Sequence, residues 1–412
     1  MPEFLSLSLP EPGLDRWLQS LPADRRPAVE HVPTEGALGR VLANDVQAPH
    51  PLPPFARSTV DGYAVRAADT FGASPSLPAY LHVIGEVRMG EEPALRIEMG
   101  QAALIHTGGT IPPGSDAVVM LEDTQTMSEG EVEVLRPCGV GENILQQGED
   151  VQDNEIVITA GCRLRPQEIG GLMALGITQV PVAARPRVGI LSSGDEIVPP
   201  DQELGPAQVR DVNSYSLGAL VAQLGGEPIL RGIISDNFEA LAAAARISHE
   251  EDDLVVITAG SSVSARDITS EVIASLGEPG ILVHGLAIKP GKPTILAVAD
   301  AKPVVGLPGN PVSALVAGRL VLTPTMRYLL GVSQEDWRPQ IKARLSTNVA
   351  SETGRQDYQP VRLQRREGQL LAEPVYGRSN LIFTLVRADG LILIPPEATG
   401  LPAGQEVDVF LF

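Results

Sequence analysis

Cysteine is almost absent from this sequence of 412 residues, which contains only Cys138 and Cys162 and no CxxC pair. This argues against a disulfide framework and leaves no thiolate zinc site to propose. Free cysteine is among the most buried residue types, so we expect both thiols to pack in the interior. The 6 histidines show no metal-binding spacing, and no Ser-His-Asp or Cys-His triad is apparent.

Basic residues are also scarce, because 31 Lys and Arg face 51 Asp and Glu, for a formal net charge of −20. Binding to nucleic acid regardless of its sequence relies on Lys and Arg to neutralise phosphates, so the composition favours a small-molecule or protein partner. The sequence lacks an apolar run of the ~18 residues that span a bilayer, and its first residues lack a basic leader region. We therefore expect no membrane segment and a cytoplasmic location.

Glycine and proline are abundant instead, at 41 and 36 residues, and the hydrophobic fraction is 43%. This composition is typical of many tight turns between short elements rather than of disorder. The length predicts roughly two to four domains. We predict an α/β multidomain protein of four units: a discontinuous N-terminal domain (1–48 and 152–184), a β-rich insertion (49–151), a three-layer α/β domain (185–332) and a C-terminal β-barrel (333–412), with a sandwich as its alternative.

Hydrophobic periodicity separates these units. The first residues have amphipathic helical spacing at Leu14, Trp17, Leu18 and Leu21. Thr34 is placed to cap a second helix, and residues 167–175 are expected to form a helix as well. Runs typical of strands recur through the insertion and again after residue 338.

Strands and helices alternate between residues 186 and 331. The predicted strands are 187–192, 228–235, 254–258, 281–288, 294–299 and 303–307, and the predicted helices are 213–224, 238–248 and two that start at 267 and 311. Apolar strands that alternate with helices are typical of a mostly parallel sheet covered on both faces.

Polar loops follow the strands of this domain. They are Gly194-Asp195-Glu196, then Asp236, then residues 260–262 leading to Asp267, and last Pro308-Gly309-Asn310-Pro311. Because parallel strands end at one edge of the sheet, we expect these residues to converge there. Crowded carboxylates favour a hard cation such as Mg²⁺, although each acid alone is equally typical of a helix cap or a solvated turn.

Other polar groups in this domain suit an anion. Ser261 and Ser262 lie just before a helix and would offer hydroxyls and N–H groups to a phosphate. Lys289 and Lys292 lie on one stiff Pro/Gly turn that suits a phosphate or oxyanion, unless it is an exposed charged hairpin. No GxGxxG motif follows the first strand and no P-loop motif occurs, which disfavours a dinucleotide fold and a P-loop ATPase.

Several motifs together resemble those of the molybdopterin molybdenumtransferases, the family of MoeA and the gephyrin E-domain. They are Pro53-Pro-Phe-Ala-Arg-Ser-Thr-Val-Asp61-Gly-Tyr-Ala, Thr107-Gly-Gly-Thr-Ile-Pro-Pro-Gly114, Gly148-Glu-Asp150, Ser192-Ser-Gly-Asp-Glu196, Ala287-Ile-Lys-Pro-Gly-Lys-Pro293 and Gly306-Leu-Pro-Gly-Asn-Pro-Val-Ser313. The resemblance implies a homodimer that inserts molybdenum from molybdate into adenylylated molybdopterin and releases AMP with the help of Mg²⁺. It also implies that the α/β domain has the MoaB/Mog-like molybdopterin-binding fold.

The resemblance also assigns roles by motif position. The catalytic residues would be Asp61, Thr107, Asp150 and Glu196, and the metal ligands would be Glu196, Asp236 and Asp267. Substrate would contact Gly194, Asp195, Ser261, Ser262, Asp267, Lys289, Lys292, Pro308, Gly309, Asn310, Pro311 and Ser379. One segment departs from the family: Ala259-Gly-Ser-Ser-Val-Ser-Ala-Arg-Asp267 is shorter by about one residue and has serine where glycine is usual.

Two alternatives accompany this hypothesis. A sister family with the same α/β fold adenylylates molybdopterin with ATP, but the extra domains argue against that activity here. A non-catalytic molybdopterin-binding scaffold is the other, and the acids retained at positions 61, 150, 196, 236 and 267 favour catalysis over it. An adenylyltransferase is a possible partner that delivers the substrate.

Overall fold

A computed structural model of the chain describes residues 7–128, 130–259, 263–333 and 340–412, without the side chains of residues 128 and 263–267. Its helices are α1 (Pro10–Gln19), α2 (Pro166–Ala174), α3 (Asn213–Gln223), α4 (Phe238–Glu251), α5 (Val263–Ala274), α6 (Pro311–Leu330) and α7 (Phe383–Val386). None of the described helices is long and apolar enough to cross a membrane.

The strands up to the α/β unit are β1 (Val29–Pro33), β2 (Val46–Gln47), β3 (Arg57–Ser58), β4 (Gly62–Val65), β5 (Ala79–Val87), β6 (Gln101–Ile105), β7 (Ala117–Met120), β8 (Thr124–Ser128), β9 (Glu131–Val134), β10 (Ile144–Leu145), β11 (Ile156–Ile158) and β12 (Gln179–Ala183). Those of the α/β unit are β13 (Arg187–Ser193), β14 (Ile197–Val198), β15 (Val209–Arg210), β16 (Glu227–Ile234), β17 (Leu254–Ala259), β18 (Pro279–His284), β19 (Ile288–Lys289), β20 (Ile295–Ala299) and β21 (Lys302–Pro308). The last are β22 (Gln340–Leu345), β23 (Val349–Ala350), β24 (Gln356–Arg366), β25 (Gln369–Pro374), β26 (Gly390–Ile394), β27 (Gly400–Leu401) and β28 (Glu406–Leu411).

The segments on either side of the insertion pair with each other. Strand β1 is antiparallel to β12, and β2 is antiparallel to β11. The second helix expected after Thr34 was wrong, because only a single 3-10 turn, Thr34–Gly36, follows. The Thr34 hydroxyl donates instead to the carbonyl of Ile177 at 2.7 Å, and so it joins the two segments rather than capping an α-helix.

The insertion forms a six-stranded sheet in the order β7-β4-β6-β5-β9-β8. Its apolar interior includes Tyr63, Leu81, Val119 and Val132. Cys138 is buried in the same core, where desolvation raises the pKa of its thiol, and Cys162 is buried elsewhere. The prediction that both thiols are interior is therefore confirmed.

The α/β unit is a three-layer domain around one six-stranded sheet. Its strand order is β16-β13-β17-β21-β20-β18, in which the first four strands are parallel, β20 is antiparallel to β21, and β18 is antiparallel to β20. One face packs against α3 and α6, and the other packs against α4 and α5. Every residue of β17 is buried, as expected of a strand covered on both sides. The predicted three-layer α/β class is confirmed.

The C-terminal strands close into a five-stranded barrel, β24-β25-β22-β28-β26, in which β26 pairs back with β24. Of the two predicted forms, the barrel is therefore correct. The short strand β19 of the α/β unit extends this sheet by pairing in parallel with β24. This pairing brings the turn that carries Lys289 against the barrel.

Candidate functional site

Four parallel strands end in one row at the carboxyl edge of the α/β sheet. Ser193 at the end of β13 is in register with Ile234 of β16 and with Ala259 of β17, and Ala259 is in register with Pro308 of β21. Neighbouring strands are ~4.8 Å apart, so the loops that follow them share one surface. The edge of an open α/β sheet is where such folds bind ligands.

Hydrogen bonds organise the acids on this edge. The Ser193 hydroxyl donates to Asp236 Oδ1 at 2.7 Å, and the Asp236 backbone N–H donates to Asp195 Oδ1 at 3.2 Å. The side chains of Asp195 and Glu196 are exposed. Asp236 is half-buried, and its second oxygen has no hydrogen-bond partner among the described residues. Three carboxylates therefore stand on two adjacent loops, with one oxygen of Asp236 held in place.

Buried polar groups lie under the same edge. Asp211, which is only 7% exposed, accepts hydrogen bonds from the Ser192 hydroxyl and the Ser214 N–H, both at 3.1 Å. Asn213 donates from Nδ2 to the carbonyl of Gly309 at 2.9 Å. These groups fix the start of α3 against the loops after β13 and β21. The sequence analysis missed Asp211 and Asn213; the available signal was an acid placed just before a helix.

The oxygen donors here fit Mg²⁺ in kind. Within the described ranges no cluster of three or more acidic, histidine or cysteine side chains is arranged to hold a metal ion. Mg²⁺ often keeps several waters and binds through one or two carboxylates plus substrate phosphates. Glu196 and the open oxygen of Asp236 supply such a set, whereas Ser261, Ser262 and the side chain of Asp267 lie outside the described part of the chain.

A cavity of about 780 Å³ opens between the turn at residues 288–293, the start of α6 and the loops of the barrel. We call it the lysine cavity. Among the described residues, its cationic lining consists of Lys289, Lys292, Arg355 and Arg378, and its acidic lining consists of Asp357 alone. The whole chain carries −20, so this local excess of positive charge, part of which is offset by the Arg355–Glu352 ion pair, distinguishes the cavity from the rest of the protein.

Direct contacts hold the lysine cavity together. Lys289 Nζ donates to Asp357 Oδ2 at 2.9 Å, which links the α/β unit to the barrel. At the start of α6, Asn310 Nδ2 donates to the Ser379 hydroxyl at 3.1 Å, and the Val312 N–H donates to the Ser379 carbonyl at 2.9 Å. The structure thus brings together four predicted residues, Lys289, Lys292, Asn310 and Ser379.

Gly291 shapes the turn that carries both lysines. Its φ of +117° is rare for other residues, and a Cβ atom at this position would lie 2.7 Å from Ile288 Cδ1. Its carbonyl accepts a hydrogen bond from the Thr294 hydroxyl at 2.7 Å. The turn therefore packs tightly, with Lys292 left exposed at its end.

A second cluster lies in the insertion around Asp61. Its Oδ1 atom accepts hydrogen bonds from the Thr107 backbone N–H at 2.7 Å and from the Thr107 hydroxyl at 3.2 Å. His106 Nδ1 is 3.6 Å from the same oxygen, and His106 Nε2 is 3.1 Å from Glu86 Oε1. Gly62 follows Asp61 because a Cβ atom there would lie 2.0 Å from the Val119 carbonyl oxygen. The predicted pair of Asp61 and Thr107 therefore does meet.

These contacts lower the pKa of the Asp61 carboxyl, and the largest contribution is the hydrogen bond from the Thr107 backbone N–H. We expect Thr107→Ala to leave this pKa below the ordinary aspartate value, because alanine keeps the N–H. The carboxylate then stays ionised as the pH falls, and any stability it contributes is lost only as the pH drops through the lowered pKa. Titration of the Asp61 carboxyl by ¹³C NMR checks this. An ordinary pKa in the native protein would contradict it.

The structure does not join the two clusters within one chain. Across the described ranges, no hydrogen bond or ion pair connects residues 49–151 to residues 185–332. Asp150 is exposed where the chain leaves the insertion, and its N–H donates to the Leu52 carbonyl at 3.0 Å, with no described contact to Asp61.

Comparison with known proteins covers nearly the whole chain. Three family models match it: the MoeA N-terminal region (domain I and II) at residues 11–176, a probable molybdopterin binding domain at 189–328, and the MoeA C-terminal region (domain IV) at 342–412. The molybdopterin molybdenumtransferase of Nostoc sp. is 34% identical over 93% of this chain and 89% of its own length. The chain belongs to the MoeA family of molybdopterin molybdenumtransferases.

Other relatives of the MoeA family agree in sequence and structure. The molybdopterin molybdenumtransferase of Bacillus subtilis is 32% identical, over 93% of this chain and 89% of its own. Two crystal structures of molybdopterin biosynthesis MoeA proteins from Pyrococcus horikoshii have TM-scores of 0.81 and 0.85 at 40% and 32% identity. They cover 98% of this chain and 99% and 100% of theirs. The protein is thus a MoeA-type enzyme of molybdenum cofactor biosynthesis.

Proposed function

We propose that this enzyme inserts molybdenum from molybdate into adenylylated molybdopterin, with Mg²⁺-dependent release of AMP. The observation that carries the proposal is the link between the loops of the sheet edge and the lysine cavity through the residues that lead into α6. Asn213 bonds to Gly309, and the next residue, Asn310, bonds to Ser379. These contacts connect the start of α3 at the sheet edge to the lysine cavity, so one extended substrate would reach both sites.

The lysine cavity supplies the binding site for molybdate in this proposal. Lys292 is exposed and has no described partner, so its ammonium group is available to a dianion. Arg378 presents a planar guanidinium group, which suits a tetrahedral oxyanion, and Arg355 adds a second one that is paired with Glu352 at 2.9 Å. Lys289 is already bound to Asp357, so it positions the barrel as well as adding charge. Both arginines were missed from the sequence.

The acidic edge would bind the phosphates of adenylylated molybdopterin. Glu196 and Asp236 would hold Mg²⁺, which neutralises phosphate charge and polarises the phosphoanhydride bond. Asp195 accepts the Asp236 N–H and so fixes the loop that carries Asp236. Pro308, Gly309 and Pro311 would form the rigid wall between the two sites. Attack of water on the phosphoanhydride would break the bond and release AMP, leaving the terminal phosphate on molybdopterin, so that no protein nucleophile is required.

We propose that the active form is a homodimer. Asp61, Thr107 and Asp150 are assigned to the same cleft by motif position, yet among the described residues no hydrogen bond or ion pair joins them to the α/β unit. A second subunit would resolve this separation. We further propose a cytoplasmic location, which suits an enzyme with two buried free thiols, and a partner adenylyltransferase that delivers the substrate.

Release of AMP from purified adenylylated molybdopterin tests the proposal. We expect AMP to appear with Mg²⁺ and molybdate, and much more slowly when molybdate is omitted or the metal is chelated by EDTA. A parallel reaction with tungstate ranks the two oxyanions. Binding of the pterin without any AMP release would favour a scaffold, and formation of adenylylated molybdopterin from ATP would favour an adenylyltransferase.

A further inference from the structure

The structure has a second cationic cavity. Its described lining residues are all different from those of the lysine cavity. Its volume is about 210 Å³, and we call it the arginine pocket after Arg40, Arg163 and Arg185. The rest of its wall consists of Leu38, Gly39, Val41, Ala222, Gln223, Gly225 and Leu330. It therefore lies where the N-terminal unit meets the ends of α3 and α6.

Among the described residues, the arginine pocket has no acidic lining residue, although acids outnumber bases by 51 to 31 in the chain. Two of its arginines are anchored by backbone carbonyls. Arg40 Nη2 donates to Ala183 at 2.8 Å and pairs with Glu30, and Arg163 Nη1 donates to Gly39 at 2.9 Å. A guanidinium carries five N–H donors, so these bonds fix both groups and still leave donors for a ligand.

Arg185 completes the pocket from the link between β12 and β13. It is exposed, and within the described ranges it makes no hydrogen bond or ion pair. Three guanidinium groups around one small cavity repel each other, and Glu30 offsets the charge of only one of them. An anion in the cavity would relieve this repulsion.

We propose that the arginine pocket binds a phosphate group. Arginine forks match the oxygen geometry of phosphate, and a cavity of 210 Å³ is far larger than one water, at about 30 Å³, yet smaller than the roughly 300 Å³ at which drug-sized pockets begin. The phosphate would contact Arg40 and Arg163 of the N-terminal unit and Arg185 of the link. It would therefore hold the N-terminal unit in a fixed position against the α/β unit.

Calorimetric titration with inorganic phosphate, at constant chloride and pH, tests the proposal. Because the lysine cavity also suits anions, Lys292→Gln is used to weaken that site. We expect this variant to retain phosphate binding at the arginine pocket, and the further change Arg185→Gln to weaken that binding by about tenfold or more, the loss of one charge-assisted fork. Arg185→Lys in the Lys292→Gln background keeps the positive charge but loses the two-pronged hydrogen bonding of the guanidinium. Its phosphate affinity should lie between those of Lys292→Gln alone and Lys292→Gln with Arg185→Gln.

Arg88→Gln is the matched control, because its side chain is 77% exposed in the insertion and it removes the same charge. Phosphate affinity in this variant should equal that of the native chain. Glycerol 3-phosphate distinguishes a phosphate monoester from free phosphate as the ligand, and affinity for either supports the site. Loss of all phosphate binding in Lys292→Gln, or equal affinity in the presence and absence of Arg185, would overturn the proposal.

Discussion

Asp236→Asn is expected to lower the rate of AMP release by about 10²–10³-fold, the range found when one preorganised electrostatic group is removed from an active site. The substitution keeps the size of the side chain and an oxygen that can accept a hydrogen bond from the Ser193 hydroxyl. In the native chain this hydroxyl is 2.7 Å from Asp236 Oδ1. Only the negative charge is lost, and with it the proposed hold on Mg²⁺. Single-turnover release of AMP measures the effect directly.

Asp153→Asn provides the control, because Asp153 is an exposed acid outside the α/β unit. This variant should release AMP at the native rate, and both variants should melt at the native temperature. If Asp236→Asn also turned over at the native rate, Asp236 would have no part in the reaction.

The hydrogen bond between Ser193 and Asp236 predicts that the effects of mutating these two residues depend on each other. If the serine acts by orienting the carboxylate, Ser193→Ala should slow AMP release in the native chain and have little further effect in Asp236→Asn. Equal effects in both backgrounds would mean that Ser193 acts independently of Asp236. A double-mutant cycle therefore separates orientation from direct contact with substrate.

Parallel strands made the acidic edge predictable from sequence. Apolar runs followed by polar loops implied that Asp195 and Asp236 share one edge, since parallel strands all end on the same side of a sheet. The hydrogen bond from the Asp236 N–H to Asp195 shows that these two loops do touch. Hydrophobic periodicity alone was enough to predict this shared edge, because the direction of the strands decides which loops lie together, whatever side chains the loops carry.

The barrel side of the lysine cavity was not predictable in the same way. Arg355, Asp357 and Arg378 reach the cavity only because β19 pairs with β24 and thereby docks the barrel against the α/β unit. Strand β19 has only two residues, which is too short for an alternation of apolar and polar residues to predict it. Ser379 was assigned through the family resemblance and not from any pattern in these strands.

The error at Thr34 has a local cause. Threonine before Glu-Gly-Ala-Leu fits a helix cap, yet the chain turns after Gly36 and the hydroxyl bonds across to Ile177. A tertiary hydrogen bond therefore replaced the local one. Helix α1 was predicted correctly from its apolar spacing, but the sequence did not indicate which strands it packs against.

Trp17→Ala is expected to lower the free energy of unfolding of the α/β unit by about 3–5 kcal/mol, the usual cost of removing a large buried aromatic side chain. Trp17 is 0% exposed, and its Nε1 donates to the Ala297 carbonyl of β20 at 2.8 Å. Helix α1 thus packs against the edge strand β18 and its neighbour β20 in the α/β unit. Urea unfolding followed by circular dichroism measures the change.

Two further variants separate packing from other causes. Trp17→Phe keeps most of the buried surface and loses the hydrogen bond, so a smaller loss of about 1–2 kcal/mol is expected. Arg16→Ala alters an exposed side chain on the same helix and should change stability by less than about 0.5 kcal/mol. If Trp17→Ala unfolded at the same urea concentration as Arg16→Ala, α1 would contribute nothing to the α/β core. We therefore expect the loss of stability to be largest for Trp17→Ala, smaller for Trp17→Phe and smallest for Arg16→Ala, because the buried indole ring supplies most of the packing that these changes affect.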